Sequence, residues 1–225
     1  VNLTAIHPAA TVVLIKDSEK GIETLLLRRS KKLDFVGGMW VFPGGRIDPT
    51  DYPDNRPDDM ESAASRAAVR EAGEEADIRI DPGELVYFSN WITPEESPKR
   101  FKTWFFIAAA NSMSVRVDGS EIHEYVWIKP SEALESQRAG KIQLMPPTFV
   151  TLQELSRFDR VAAVLDYSRS CPPARFLPHI VIIPGGVCSL YQGDAGYDTK
   201  DPDKPGPRHR FWMMDSGWRY EKSDG

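Results

Sequence analysis

The chain has 225 residues, 41% of them hydrophobic and 27% charged, with a formal net charge of −5. That length and balance fit a soluble globular chain with one main domain. The acidic balance argues against nucleic acid as a partner, which favours a strongly basic surface, and no apolar run nears the ~18 residues of a membrane span.

Two cysteines, Cys171 and Cys188, are too few for a disulfide framework, so a reducing, cytoplasmic setting is expected. No charged-then-apolar leader opens the chain, and Ser223-Asp224-Gly225 is not a peroxisomal address.

Residues 9–16 are β-rich, residues 17–21 form a turn, and residues 23–29 make the second arm of a hairpin. A short apolar run leads to Phe42-Pro43-Gly44-Gly45, where the glycines let backbone approach a ligand. Residues 49–58, rich in Pro, Asp and Asn, read as a polar surface loop outside the core. A helix follows, opened by a capping box of Asp58 with Glu61. Residues 85–92 and 100–110 read as strands, the second buried because it is almost wholly apolar. A loop at 111–120 leads to a strand at 121–128, then a helix at 130–140 and one longer helix reaching about Ser168. Pro172-Pro173 breaks the chain, 179–183 is a strand, and Pro184-Gly185-Gly186 is a turn. A Gly-, Asp- and Pro-rich loop at 191–207 precedes a terminal hairpin around Asp215-Ser216-Gly217.

The chemistry concentrates on the helix before Ile78. At about 100° per residue, Glu71, Glu74 and Glu75 share roughly one third of its circumference. Ala68, Ala67, Ala64, Ala63 and Met60 precede them on the same face. Acids near a helix C-terminus oppose the macrodipole at about 0.3–1 kcal/mol each, and neighbouring carboxylates repel by roughly 0.2–0.5 kcal/mol per pair. A sequence that accepts both costs is read as holding a cation. Hard oxygen ligands on a short arc suit Mg2+ or Mn2+, bound together with substrate phosphates. Arg70, four residues before Glu74, can pair with it and orient the cluster.

The stretch from Gly44 to Ile78 resembles the Nudix box, Gly-x5-Glu-x7-Arg-Glu-U-x-Glu-Glu-x-Gly-U, through Arg70-Glu71-Ala72-Gly73-Glu74-Glu75. The chain takes 26 steps from Gly45 to Glu71 where the motif takes 15, an insertion of eleven residues around 49–58. The motif's first Glu has no clear counterpart, and Asp77 replaces its final Gly, as Asp tolerates the left-handed conformation at helix ends. A narrower pattern, that of the coenzyme A diphosphatase branch, is matched in register by Leu25, Leu26, Arg29, Ser30, Gly38, Phe42, Pro43, Gly44 and Gly45. Leu27 replaces its Thr and Asp34 its second Arg, while Asp48 and Asp51 continue the likeness.

The resemblance implies an α+β Nudix fold, an α/β/α sandwich with a mixed β-sheet. Residues 1–169 would be its core and 170–225 an extension of the same domain, covering the substrate entrance or forming a homodimer surface. It implies metal ligation by Glu71, Glu75 and Glu74 with a Gly44 or Gly45 carbonyl, and catalytic roles for Glu74, Arg70 and Glu121. Glu124 is second choice to Glu121, since such an acid precedes a Trp-containing strand in many members; His123 reads as a surface residue. Arg28, Arg29, Ser30, Gly38 and Phe42 are the candidate substrate contacts, with Lys31 and Lys32 adding local positive charge. The implied reaction is metal-dependent hydrolysis of a nucleoside diphosphate linked to another group, with coenzyme A or an acyl derivative first. The runner-up is NADH or ADP-ribose, for which Asp34 is harmless. A nucleotide-sensing module without catalysis is the rival from another class, and the intact acid cluster argues against it.

Overall fold

A computed structural model describes residues 5–30, 37–54, 56, 58–110, 114–117 and 119–223. Asp34, Lys31 and Lys32 therefore lie outside the described residues. The chain runs β1 (Ile6–Ser18), β2 (Gly21–Arg29), β3 (Trp40–Val41), β4 (Gly44–Arg46), α1 (Met60–Ala76), β5 (Val86–Ile92), β6 (Arg100–Ala109) and β7 (Ile122–Ile128). Then come α2 (Pro130–Arg138), α3 (Pro146–Leu155), α4 (Val161–Ser170), β8 (Ala174–Phe176), β9 (His179–Ile183), β10 (Gly186–Leu190), β11 (His209–Met214) and β12 (Gly217–Lys222).

The main sheet is mixed, in the order β3-β2-β1-β6-β5-β8, with β4 on β1 and β7 on β2. Strands β1 and β6 run parallel through its middle. Their side chains alternate between two cores with the period of two that a pleated strand imposes. Ala10, Val12 and Leu14 of β1 join Trp104 and Phe106 of β6 under helix α1. Val13 and Ile15 join Phe105 and Ile107 under α2, α3 and α4. Both faces are covered, which is why these strands read as nearly continuous apolar runs. Helix α1 presents Ala63, Ala64, Ala67, Ala68, Ala72 and Ala76, all fully buried, and these small side chains let the helix axis sit close to the sheet. Among the described residues no helix is long and apolar enough to cross a membrane.

Four sequence expectations are corrected. Helix α1 is capped by Asp59, whose carboxylate accepts the Ser62 amide at 3.0 Å, one residue after the expected Asp58. Met60, the first residue of the helix, is exposed rather than packed with the alanines that follow it. The single long helix after Pro147 is two helices: α3 stops at Leu155, and the α4 amide of Val161 donates to Asp17 Oδ1 at 2.9 Å. That cap comes from the end of β1, so the apolar periodicity, which continues across the break, could not reveal it. The segment 49–58 is not merely a surface loop. Pro49–Asp51 form a 3-10 turn, Asp51 and Pro53 are buried, and Tyr52 packs against the α1 core.

The last third also holds more regular structure than its Gly- and Pro-rich sequence suggests. Strand β8 adds to the main sheet parallel to β5, and Phe176 stacks on Trp91 with ring centroids 3.8 Å apart. Strands β9 to β12 form a second, antiparallel sheet in the order β12-β11-β10-β9. It is joined to α3 by edge-on contacts of Phe149 with Phe211 and Trp218. At its end Arg210 and Asp194 make a fully buried pair at 2.7 Å.

Candidate active site

Helix α1 ends beside strand β4, and the approach leaves no room for side chains on the strand. A Cβ on Gly44 would stand 2.8 Å from Thr11 Cα, and one on Gly45 2.6 Å from Glu71 Cδ. The pair of glycines is therefore required where sheet, strand and helix converge. Asp77 ends the helix in the left-handed conformation, with φ 56° and ψ 33°, and its amide closes on Ala72 and Gly73. The last turn is thus fixed at both ends, and its acids are held against β4.

Glu75 is 6% exposed, and its Oε2 accepts the Gly44 amide at 3.0 Å. Burial pushes its pKa up to about 8, with the Gly44 amide and Arg29 opposing and the neighbouring Glu71 charge reinforcing the rise. Burial also raises Glu71, while Arg70 pulls it back. Glu74 is the exposed member. Arg70 binds both: its Nη1 donates to Glu71 Oε1 at 2.9 Å and to Glu74 Oε2 at 3.0 Å. Its Nη2 donates to the Arg46 carbonyl at 3.0 Å, and Nε and Nη2 grip the Asp51 carboxylate at 3.1 and 3.0 Å. Asp51 was read from sequence only as part of a likeness. The buried turn that aims it at Arg70 depends on a contact 19 residues apart.

Across from the helix, Arg29 Nη2 donates to Glu121 Oε2 at 3.2 Å, and its Nη1 lies 4.0 Å from Glu75 Oε1. The amide of Ser30 donates to the Glu121 carbonyl at 2.7 Å, which holds the start of β7 beside the end of β2. A cavity of about 1710 Å³ opens over this group, lined by Arg29, Phe42, Gly44, Gly45, Glu71, Glu74, Glu75 and Glu121. The other candidates fall outside its lining. Arg28 is paired with Glu124 on neighbouring strands at 3.0 Å. Ser30 is buried. Gly38, at φ 81°, forms a turn whose amide returns to the Arg29 carbonyl. Arg70 acts from behind the acids. Polar side chains such as Lys99, Gln137 and Gln143 also reach the wall, but an apolar part comes largely from outside the box: Trp91, Met145, Ile180, Tyr191, Met213 and Trp218. Sequence reasoning assigned no role to the last four, because their convergence depends on how β9 to β12 fold back.

The acids fit a hard divalent cation by chemistry. Glu71 and Glu75 are two adjacent carboxylates in a poorly solvated corner, both raised by burial, Glu75 further by the Glu71 charge and Glu71 by the Glu74 and Asp48 charges, and a positive ion is what lets both ionise together. Among the described residues no three His, Cys, Asp or Glu side chains stand already gathered round one point, and Arg70 and Arg29 pair with the acids.

Comparison with known proteins agrees with this geometry. The NUDIX domain family matches residues 5–147. A nudix hydrolase of Caenorhabditis elegans is 28% identical, over 66% of this chain and 60% of its own length. An acyl-coenzyme A diphosphatase of Xenopus laevis is 25% identical, over 83% of this chain and 74% of its own. The human acyl-coenzyme A diphosphatase is 33% identical over 54% of this chain, which spans only 34% of that protein. The solved NUDIX hydrolase of Alicyclobacillus acidocaldarius superposes with a TM-score of 0.66 and 25% identity, covering 73% of this chain and 97% of that one. The NUDIX domain of Shewanella oneidensis NrtR, solved with ADP ribose, gives 0.51 at 18% identity, covering 68% and 88%, and so shares the fold. A family match over well over half of the chain, on a mixed sheet whose box helix ends in three glutamates against a Gly-Gly strand, makes this chain a member of the Nudix family.

Proposed function

We propose that the chain hydrolyses the diphosphate of coenzyme A thioesters, cutting between the nucleotide and the acylated pantetheine arm. The observation that carries this reading is the mixed character of the cavity. Acids with Arg29 and Arg46 line its box part, and the remainder, largely apolar where β9, β11, β12 and Trp91 build it, suits a long apolar group attached to the diphosphate.

Glu71 and Glu75, with Glu74, are the residues to hold a Mg2+ or Mn2+ ion. When bound, such an ion neutralises the charge that develops on the diphosphate oxygens. Arg29 lies at the cavity wall and grips a phosphate with its planar fork. Arg70 orients Glu71 and Glu74 from behind. Glu121 and Glu74, whose side chains are 56% and 60% exposed, stand where water reaches them, and one of the two takes its proton as the water attacks phosphorus. The apolar wall excludes bulk water from the remainder of the substrate.

The test is a Mg2+- or Mn2+-supplemented assay on free coenzyme A, acyl-coenzyme A esters of increasing chain length, ADP-ribose and NADH, with products identified. The expected result is 3′,5′-ADP and an acyl 4′-phosphopantetheine, abolished by chelator. Release of AMP from NADH or ADP-ribose with the thioesters untouched would overturn the substrate.

A further inference from the structure

Residues 49–58 interrupt the box, and their polar sequence suggests a segment that could be trimmed. The fold gives them a task. Pro49–Asp51 wind into a short turn in which the Asp51 carboxylate takes back the Asp48 amide at 2.8 Å. Pro53 is buried behind it, and Tyr52 packs on the α1 core. Asp51 is thereby held 5% exposed with both oxygens on the Arg70 guanidinium.

Arg70 carries one positive charge and shares it among two box glutamates, the Arg46 carbonyl and Asp51. Without Asp51 more of that charge would fall on Glu71 and Glu74, Asp48 being 3.8 Å away, and the guanidinium plane would lose its two-point anchor. We propose that Asp51 is a positioning residue: it fixes the Arg70 fork and takes up part of its charge, so that Glu71 and Glu74 keep their attraction for a divalent cation. The inserted segment is then an arm that delivers a counter-charge to the back of the site. This rests on the reading that the box acids hold such a cation.

The experiment is titration of the full chain with Mn2+, without substrate, followed by electron paramagnetic resonance, alongside thermal unfolding of each variant. Asp51→Asn removes the charge and keeps the shape. Its Mn2+ dissociation constant should rise about tenfold, the size expected for losing one negative charge near a divalent ion. The exposed Asp54→Asn, in the same segment, should leave binding unchanged. In an Arg70→Gln background, Asp51→Asn should have little further effect, since its influence runs through Arg70. A folded Asp51→Asn that binds Mn2+ like the wild type overturns the proposal. Should Asp51→Asn fail to fold, Arg70→Lys decides: an ammonium cannot span Asp51 and two glutamates, so binding should weaken, and unchanged binding overturns the proposal. A wild-type chain that binds no Mn2+ instead removes the reading beneath it.

Discussion

The Gly44 amide donates to Glu75 Oε2 at 3.0 Å, so one carboxylate both ties strand β4 to helix α1 and lines the cavity. Glu75→Gln can keep that hydrogen bond through its amide oxygen while losing the charge. Turnover in Mg2+ or Mn2+ should fall by at least ~100-fold, as should that of Glu71→Gln, because charge stabilisation worth several kcal/mol is removed. The melting temperature of Glu75→Gln should hold or rise, since the cost of burying an ionisable carboxyl, whose pKa burial raises to about 8, is relieved. Steady-state kinetics and calorimetry on the two variants check both parts.

Gly45→Ala should be far more damaging than one methyl group suggests. The added Cβ would lie 2.6 Å from Glu71 Cδ, so the glutamate must leave its place. We expect a loss of more than ~10-fold in kcat/KM with little loss of stability, because the atoms displaced are the far end of the Glu71 side chain. Denaturant titration should show a nearly unchanged midpoint while activity falls.

Ile180 lines the cavity from strand β9, remote in sequence from the box. Ile180→Glu should raise KM for long-chain acyl-coenzyme A by ~10-fold or more, with little change for free coenzyme A, as a carboxylate placed among apolar groups must be desolvated. A chain-length series of kcat/KM is the readout; equal losses on both substrates would remove the apolar wall from the specificity argument.

Asp194 and Arg210 supply a pH dependence away from the box. Burial alone would raise the Asp194 pKa, but Arg210 and the amides of His209 and Gly196 outweigh it and hold the carboxyl below its ordinary value. A carboxyl lowered in the folded state stabilises the fold above its unfolded pKa of about 4, and the contribution is lost as pH falls through the folded value. His209 is also lowered, first by burial. The unfolded chain therefore takes up that proton first, and stability begins to decline as pH drops below about 6.5. Asp194→Asn should cost about 3–5 kcal/mol at neutral pH, because Arg210 is left buried and unpaired. Its deficit should narrow below pH ~4, and His209→Gln should flatten the decline just below pH ~6.5. Thermal unfolding across pH reads all three.

Local pattern carried much of this molecule. The period-two strands β1 and β6, the alanine face of α1, and the acids at its end are all written in short stretches of sequence. The elements that escaped are those fixed by distant partners. The α3–α4 break depends on Asp17 capping Val161. Strand β8 is only three residues long and exists by pairing with β5. Asp51 looked solvated because nothing near it in sequence shows that Arg70 lies above it. The cross-strand pairing of Arg28 with Glu124 joins residues 96 positions apart, so nothing local in the sequence announces it.

Strand β8 has a further consequence, in the order of synthesis. Until Ala174–Phe176 arrive beside it, β5 is an edge strand with unpaired amides and carbonyls, and Trp91 has no Phe176 to stack on. Such an edge invites pairing with other chains. During translation the growing polypeptide must pass through more than eighty residues between β5 and β8 with that edge open. The hazard is one of nascent-chain aggregation. Any fragment ending where the family match ends, at residue 147, would keep that edge permanently uncovered.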